Sequence, residues 1–455
     1  MNTFGITDRR HFLKHAAAGA AVVAPGMSFL SNISAQAAEL KKKNKSLIIL
    51  WMGGGPATID LWDMKPDSVN GGEHKPKSTA AGSSVQISEH LPTVGKQFKH
   101  LSIIRSLTTS EGDHNRGTFL MNTGRVPNPL SEFPHIGSVL GYQYSQDLEA
   151  MKNMDLPLFI SVGGGRVGPG FLGMKYASFD VRNPGAPPEN VEPPQDVKSM
   201  PRRAVLFETL EGTSTTKPGL GLKTNVAADS VQAHKDVYKK ALDLVVSSRK
   251  EVFSIDATKD KAAIDRYGNN NFGKGCLLAK KLVEAGVGCV EVNLGGWDMH
   301  AGIFNALATR QLPTLDKGMG TLVKDLAQRG KLKDTVIVWM GDFGRTPRIN
   351  QNGGRDHYPA AWSVVVGGGN IKGGVAFGAT DKDGTQATEG KVGVHDLYGT
   401  LYRGLGIDPT PETNASVRDN LGRPYYVAGD RTKVGTGDDG TDAKLKDYWI
   451  KDLVS

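Results

Sequence analysis

The stretch Ser46-Leu-Ile-Ile-Leu-Trp-Met52, followed at once by Gly53-Gly54-Gly55-Pro56, decides the fold class of this chain. A short, uninterrupted apolar run that ends in glycines is typical of a strand buried on both faces of a parallel sheet. Similar runs recur at residues 286–294, 334–340 and 362–366, and helical patterns over 275–285 and about 312–329 precede the first two of these. Because strands alternate with helices, we expect an α/β fold with a mostly parallel central sheet sandwiched by helices.

The composition of the 455-residue chain is that of a globular protein, with 38% hydrophobic, 22% charged and 7% aromatic residues. This length allows two or three domains, or one large α/β domain with insertions. The net charge of +8 is spread along the sequence, so it gives no reason to expect a nucleic-acid partner. The spacing of the two cysteines, Cys276 and Cys289, fits neither a disulfide framework nor a zinc ribbon, and we expect both to be buried.

The first 37 residues have the order of parts found in a twin-arginine export signal. Arg9-Arg10 precedes a modestly apolar run over residues 16–30 and the small-residue cleavage site Ala35-Gln36-Ala37. Pro25 interrupts the run, which falls short of the roughly 20 apolar residues of a spanning helix, so we expect no stable membrane span. The twin-arginine export machinery is therefore a predicted partner, and the mature protein is predicted to be periplasmic or secreted.

The remainder of the chain is predicted to form one domain. Residues 38–45 read as a linker, residues 46–430 as an α/β domain, and residues 431–455 as a C-terminal tail. The Pro-rich piece Asn183–Pro194 can be neither helix nor central strand, and we predict an inserted loop or lid over about residues 160–225.

Ionisable side chains follow the predicted strands where the strands end. In an open α/β sheet, ligands bind beyond the carboxyl ends of the strands. Carboxylates and imidazoles that converge there are typical ligands of divalent metals that activate phosphate or sulfate esters. A single Asp near a glycine is more often a turn residue, but the recurrence on successive strands favours a metal site. The predicted metal ligands are Asp60, Asp298, His300, Asp342, Asp356 and His357.

Several motifs resemble a known family when they are taken together and in order. They are Trp51–Pro66, Arg105-Ser-Leu with His114 and Thr123-Gly124, Leu277–Gly286, Gly296–His300, Gly341–Pro347 and Gly354–Pro359. With the export signal, they resemble the secreted bacterial family called domain of unknown function 1501, itself similar to the alkaline phosphatase and sulfatase superfamily. The resemblance implies a central sheet with helices on both sides and one or two divalent metals, with zinc, calcium, manganese and magnesium all open.

By order along the chain, the resemblance also implies roles for the candidate residues. Asp60 corresponds to the first-strand aspartate, Asp298 and His300 to the central ligand pair, and Asp342 to the acidic residue after a later strand. Asp356 and His357 would complete the site. Two positions depart from the pattern, since Phe343 stands where a sulfatase has histidine and Asp342 where the family more usually has glutamate.

The nucleophile signature of the superfamily is absent from this sequence. Thr108, Thr109 and Ser110 are candidate nucleophiles if a metal lowers the pKa of the hydroxyl. His114 is a candidate ligand, general acid or nucleophile. Arg116 and Arg345 are candidate anion clamps, because a guanidinium holds a tetrahedral oxyanion with two parallel bonds. The alternatives are that Arg116 pairs with a helix carboxylate and that Arg345 caps a strand end.

Two functions from different classes follow from these residues. The first is an exported metal-dependent hydrolase of phosphate or sulfate esters, whose substrate is an anionic ester such as a sulfated or phosphorylated glycan. The second is an exported, non-catalytic binding or scaffold protein that keeps the superfamily fold and binds glycans.

Overall fold

The computed structural model describes residues 45–146, 154–165, 167–186, 244–245, 247, 249–410, 417–419, 422–429 and 448–454. The predicted export signal, nearly all of the predicted linker, and most of the predicted insertion and tail lie outside these residues. Within the described part of the chain, no helix is long and apolar enough to cross a membrane.

The described strands form one large sheet and four short two-stranded ribbons. In chain order they are β1 (Ser46–Met52), β2 (Pro76–Thr79), β3 (Gly82–Ser88), β4 (Leu101–Leu107), β5 (Phe159–Val162), β6 (Phe179–Val181), β7 (Cys289–Leu294), β8 (Thr335–Gly341), β9 (Gly344–Arg345), β10 (His357–Tyr358), β11 (Trp362–Gly368), β12 (Ala376–Phe377), β13 (Ala379–Thr380), β14 (Ala387–Glu389), β15 (Val417–Arg418) and β16 (Pro424–Tyr425). The large sheet has eight strands in the order β12-β4-β11-β8-β1-β7-β5-β6.

The α-helices of the described structure lie between these strands. They are α1 (Pro92–Gly95), α2 (His114–Thr123), α3 (Ile136–Ser145), α4 (Lys261–Tyr267), α5 (Asn271–Glu284), α6 (Ile303–Ala306), α7 (Leu312–Gln328) and α8 (Val394–Gly404).

Most neighbouring strands of the sheet are parallel. β1 pairs in parallel with β7 and β8, and β5 pairs in parallel with β6 and β7. β11 runs antiparallel to both β8 and β4. The predicted mostly parallel sheet is therefore confirmed. Because β11 is reversed, its first residue, Trp362, lies at the edge where the parallel strands end.

Helices cover both faces of the sheet, and each face has its own hydrophobic core. Successive side chains of a strand point to opposite faces, so Ile48 and Leu50 of β1 enter one core while Leu47 and Ile49 enter the other. The first core includes residues of α5 and α7, and the second includes residues of α2, α3 and α8. This two-sided burial explains why β1 is a continuous apolar run.

Two cysteines lie in these cores. Cys276 on α5 and Cys289 on β7 are both buried free thiols. The prediction that they are buried small side chains is confirmed.

The described parts of the predicted insertion and tail pack on the domain. β5 and β6 fall largely within the first part of the predicted insertion, yet both belong to the large sheet. Ile450 and Leu453 are buried in the second core, and the backbone N–H of Ile450 donates to Thr400 Oγ1 on α8 at 3.0 Å. The predicted domain boundaries stay predictions.

Candidate metal centre

Three loops bring candidate residues to the edge where the parallel strands end. His114 is the first residue of α2, whose N-terminus is capped by the side chain of Asp113. Asp298 and His300 lie in the loop after β7, and Asp342 directly follows β8. This location agrees with the general position of ligand sites in α/β sheets.

A small ribbon brings further candidates to the same edge. β9 pairs antiparallel with β10, which places Arg345 directly opposite His357. The backbone N–H of Thr346 donates to the carbonyl oxygen of Asp356 at 2.8 Å. Asp356 and His357 therefore reach the edge from the chain that precedes the reversed strand β11.

Asp298 lies at the centre of three histidines. The Nε2 atoms of His114, His300 and His357 lie 3.3, 2.9 and 3.4 Å from its carboxylate oxygens. Ligand atoms of His114, Asp298 and His357 all lie within 4.8 Å of one another. The side chains of Asp298 and His300 are 45% and 46% exposed, so the outer side of the cluster is open to solvent.

The opposite ring nitrogen of each histidine is held by a separate acceptor. The Nδ1 contacts are His114 to Asp342 Oδ2 at 2.5 Å, His300 to Asp356 Oδ1 at 2.7 Å, and His357 to the carbonyl oxygen of Gly112 at 2.8 Å. An ionised carboxylate or a carbonyl can only accept, so these partners assign the ring proton to Nδ1 in each case. The same arrangement holds the histidine ligands of metal sites.

This hydrogen-bond pattern directs three Nε2 lone pairs towards a carboxylate. A neutral imidazole with its proton on Nδ1 is repelled there unless a proton or a cation lies between the groups. For His300, Nη1 of Arg345 lies 3.3 Å from Nε2 and can donate to it. Nε2 of His114 is buried without a hydrogen-bond partner in the described structure. The carboxylates of Asp298, Asp342 and Asp356 and the guanidinium of Arg345 carry a combined charge of −2. Both the donor atoms and the charge fit a divalent metal.

Arg345 keeps Asp298 ionised. Its Nη2 donates to Asp298 Oδ1 at 2.6 Å. Burial raises the pKa of Asp298, but the hydrogen bond and charge of Arg345, helped by His114 and His300, lower that pKa to about 2. The pKa of Asp356 also lies below its usual value, chiefly because His300 donates a hydrogen bond to it.

The guanidinium of Arg345 is fully buried, with no exposed side-chain surface. Its Nε donates to the carbonyl oxygen of Gly55 at 2.7 Å, and its Nη2 also contacts the carbonyl oxygen of Gly54. Arg345 thus ties the glycine loop after β1 to Asp298. An anion clamp needs a guanidinium that a substrate can reach, and the guanidinium of Arg345 is buried. The clamp role of Arg345 stays a prediction.

With this geometry established, comparisons with known proteins give the family. Residues 44–434 match the family described as protein of unknown function DUF1501. The chain belongs to the DUF1501 family. The predicted family resemblance is therefore confirmed. A comparison with curated protein sequences found no match.

Two solved structures are similar to this DUF1501 chain at low identity. One is the crystal structure of the PsFucS1 sulfatase from Pseudoalteromonas sp., which is 15% identical, with 87% of this chain and 77% of that chain covered and a TM-score of 0.34. Another is Ps i-CgsB in complex with k-i-k-neocarrahexaose, which is 10% identical, with 81% and 73% covered and a TM-score of 0.32.

Asp60 is held by an arginine that the sequence analysis did not consider. Arg355 Nε and Nη2 donate to Asp60 Oδ2 and Oδ1, each at 2.7 Å, and both side chains are fully buried. In this arrangement Asp60 anchors the segment that carries Asp356 and His357. The ligand role that the family order implied for Asp60 stays a prediction. One feature of the sequence could have pointed to Arg355, namely its position directly before the candidate ligands Asp356 and His357.

Thr108 and Arg116 are each engaged by another group of the protein. The hydroxyl of Thr108 donates to the carbonyl oxygen of Ala360 at 3.0 Å. Arg116 forms a two-bonded ion pair with Glu111, both bonds being 2.6 Å. The partner is a carboxylate, as in the alternative role, but it lies in the loop before α2 and not on a helix. Their predicted catalytic roles stay predictions.

Phe343 packs beneath the histidines in this DUF1501 protein. Its ring is buried, stacks on His114 with centroids 4.9 Å apart, and lies 4.7 Å from the ring of His357. An aromatic residue at this position therefore supports two candidate ligands by packing. The carbonyl of Gly112, which orients His357, could not be recognised from a sequence because every residue has a carbonyl.

Proposed function

We propose that this protein is an exported, metal-dependent hydrolase of phosphate or sulfate esters. The proposal is supported by one observation above all: three histidines point Nε2 at Asp298 while their Nδ1 atoms are held by other acceptors. That pattern suits a cation held by His114, Asp298, His300 and His357. A divalent metal there would supply Lewis-acid polarisation of an ester oxygen and would make water more acidic.

The protein's own groups would orient the site and leave it accessible. Asp342, Asp356 and the Gly112 carbonyl keep the imidazole rings in one orientation and one tautomer. Arg345 keeps Asp298 ionised, and the half-exposed outer side of the cluster gives an anionic ester room to approach. A sulfated or phosphorylated glycan is a substrate of suitable charge.

We favour water over Thr108, Thr109 and His114 as the nucleophile. The hydroxyl of Thr108 is engaged by the carbonyl of Ala360, and that of Thr109 donates to the carbonyl of Pro359 at 3.5 Å. His114 has its Nδ1 on Asp342, and its Nε2 faces Asp298 as a ligand would. We therefore place His114 among the metal-holding residues rather than as the nucleophile.

The direct test is turnover by metal-loaded protein. Chelator-treated protein would be loaded with zinc, manganese, calcium or magnesium and assayed with aryl phosphate, phosphodiester and aryl sulfate substrates. We expect at least one combination to be hydrolysed, and we expect Asp298→Ala and His357→Ala to lose both bound metal and activity. His100→Ala, a histidine outside the cluster, is the matched control.

A non-catalytic binding protein is the second candidate, and one observation favours it. Arg116 is paired with Glu111, and the buried Arg345 is paired with Asp298, so a carboxylate of the protein already engages each predicted anion clamp. Retention of metal and binding of a sulfated glycan, with no turnover for any metal and substrate pair, would support this function and contradict the hydrolase.

A further inference from the structure

A second cluster of metal-ligating side chains lies at the open end of the β2–β3 hairpin. His74 comes just before β2, and Glu89 and His90 directly follow β3. One ligand atom of each of the three residues lies within 4.8 Å of the others. None of these residues belongs to the cluster around Asp298.

The backbone of the hairpin holds this cluster together. The N–H of Glu89 donates to the carbonyl oxygen of Lys75 at 2.9 Å, and the N–H of Lys75 donates to Glu89 Oε1 at the same distance. On the other side, the ring of His74 packs edge-on against Phe304 of α6, with centroids 5.9 Å apart. The Glu89 carboxylate and the His74 ring are therefore both positioned by neighbours.

The distance between the two imidazoles matches two ligands of one metal. His74 Nδ1 lies 3.3 Å from His90 Nε2, and the ring planes are at 84°. Two nitrogens that each lie about 2.0–2.1 Å from a tetrahedral zinc are about 3.3–3.4 Å apart. An ordinary N–H hydrogen bond is shorter, at about 2.9–3.0 Å.

The electrostatic surroundings suit a cation as well. His74 is buried, and a metal requires its ring in the neutral form. The carboxylate of Glu89 lies beside the two rings and supplies a negative charge. Two neutral imidazoles and one carboxylate are a ligand set that zinc accepts.

We propose that His74, Glu89 and His90 form a second metal site, for zinc, that closes the open end of the β2–β3 hairpin. The bound ion links the two ends of a loop that begins at His74 and ends at His90. Because the three ligands come together only in the folded chain, the free energy of zinc binding at this site stabilises the folded protein. Three protein ligands leave a fourth position for water.

Zinc counting on chelator-stripped full-length protein tests this site separately from the first one. Zinc would be added, unbound ion removed, and zinc per chain measured for wild type, His90→Ala, Glu89→Gln and Asp298→Asn. We expect His90→Ala to bind one zinc per chain fewer than wild type, Glu89→Gln to bind this zinc at least tenfold more weakly, and His100→Ala to match wild type. Zinc should also raise the Tm of Asp298→Asn, and this shift should disappear when His90→Ala is added.

The outcomes distinguish the two sites. If the cluster around Asp298 holds no metal, Asp298→Asn leaves the zinc count unchanged while His90→Ala still removes one ion. If His90→Ala and Glu89→Gln are folded by circular dichroism and bind as much zinc as wild type with the same affinity, the second site does not exist and the two imidazoles form a hydrogen bond.

Discussion

His357 illustrates how the partner of one ring nitrogen decides the chemistry of the other. A carbonyl oxygen can only accept, so the contact with Gly112 places the ring proton on Nδ1 and turns the Nε2 lone pair towards Asp298. His114 and His300 are oriented in the same way by carboxylates. The candidate centre therefore depends as much on these acceptors as on the ligands.

Asp342→Asn should weaken metal binding at the first centre. An amide that donates to Nδ1 of His114 would move the ring proton to Nε2, the nitrogen that faces Asp298. Loss of such an orienting partner typically costs 10–100-fold in metal affinity. Isothermal titration with zinc or manganese measures this. Asp342→Glu, which restores a carboxylate, is the control, and equal affinity of Asp342→Asn and wild type would refute the orienting role.

Gly54→Ala should disrupt the same centre through the backbone. Gly54 has φ of +110°, and a Cβ there would lie 2.5 Å from the backbone nitrogen of Asp298. Gly82→Ala is a matched control, because Gly82 has φ of +101° but nothing within 4 Å of the added Cβ. We expect Gly82→Ala to cost only the backbone strain, about 1–3 kcal/mol. Gly54→Ala should lower the free energy of unfolding by more than this, as measured by urea unfolding, and it should also lower the affinity of the centre for metal.

At the level of elements, a buried carboxylate connects β7 to its neighbours. Glu291 accepts hydrogen bonds from Asn293 at 2.9 Å and from Ser161 on β5 at 3.2 Å. His135 caps α3 by accepting from the N–H of Gly137 with Nδ1, so its Nε2 carries the proton and donates to Glu291 at 2.9 Å. A strand, its neighbour and a helix N-terminus are thus joined at one side chain.

Glu291→Ala should lower the free energy of unfolding at pH 7 by about 1–3 kcal/mol, because it removes the buried acceptor of Asn293 and Ser161 and leaves His135 Nε2 with Asn122 Oδ1 as its remaining partner. Asp265→Asn, which removes an exposed ion pair with Lys261, should cost less than about 1 kcal/mol. Denaturant unfolding of both variants measures the difference. A cost for Glu291→Ala no larger than that of Asp265→Asn would show that the buried network contributes little.

The pKa of the Glu291 carboxylate predicts how the stability of the protein depends on pH. Burial raises the pKa of Glu291, but its hydrogen bonds from His135, Asn293 and Ser161 bring the pKa below its usual value. A carboxylate whose pKa is lower in the folded protein than in the unfolded chain stabilises the folded protein. This contribution is complete at pH values above the unfolded-state pKa of about 4.3, and it is lost as the pH falls through the folded-state pKa. Unfolding measured between pH 7 and pH 3 should therefore show a smaller acid-induced loss in Glu291→Gln than in wild type.

At the scale of the whole molecule, the direction of one strand completes the candidate centre. β4, β7 and β8 end at the same edge, where they supply the chain leading to His114, Asp298 and Asp342. β11 is antiparallel to β8, so the residues before it, Asp356 and His357, reach that edge as well. A fully parallel sheet would place the start of β11 at the opposite edge.

The proposed export concerns the whole molecule too, and the proposal rests on Arg9-Arg10. If residues 1–37 act as a twin-arginine signal, replacing both arginines with lysine should leave the precursor in the cytoplasm. Fractionation of cells that produce the full chain, followed by immunoblotting, measures the distribution. Lys14→Gln alters charge in the same segment without changing the pair, and it should be exported. Normal export of the double variant would exclude the twin-arginine route.

Much of the fold could be predicted from local patterns in the sequence. A strand buried on both faces reads as a nearly continuous apolar run, and β1 and β8 do after their first residues, while α7 repeats apolar residues at helical spacing. The positions of Asp298, His300 and Asp342 after strands followed from the same runs. These features depend on neighbouring residues in the chain, and for that reason the sequence alone determined them.

Only the tertiary structure decided which groups meet. The reversal of β11, the pairing of Asp60 with Arg355, and the burial of Arg345 under the loop at Gly54 all join residues far apart in sequence. Acceptors such as Asp342 determine which ring nitrogen of each histidine carries the proton. The contact between Asp342 and His114 joins residues that are 228 positions apart. Hydrogen bonds depend on distance and direction in space, and residue order along the chain specifies neither.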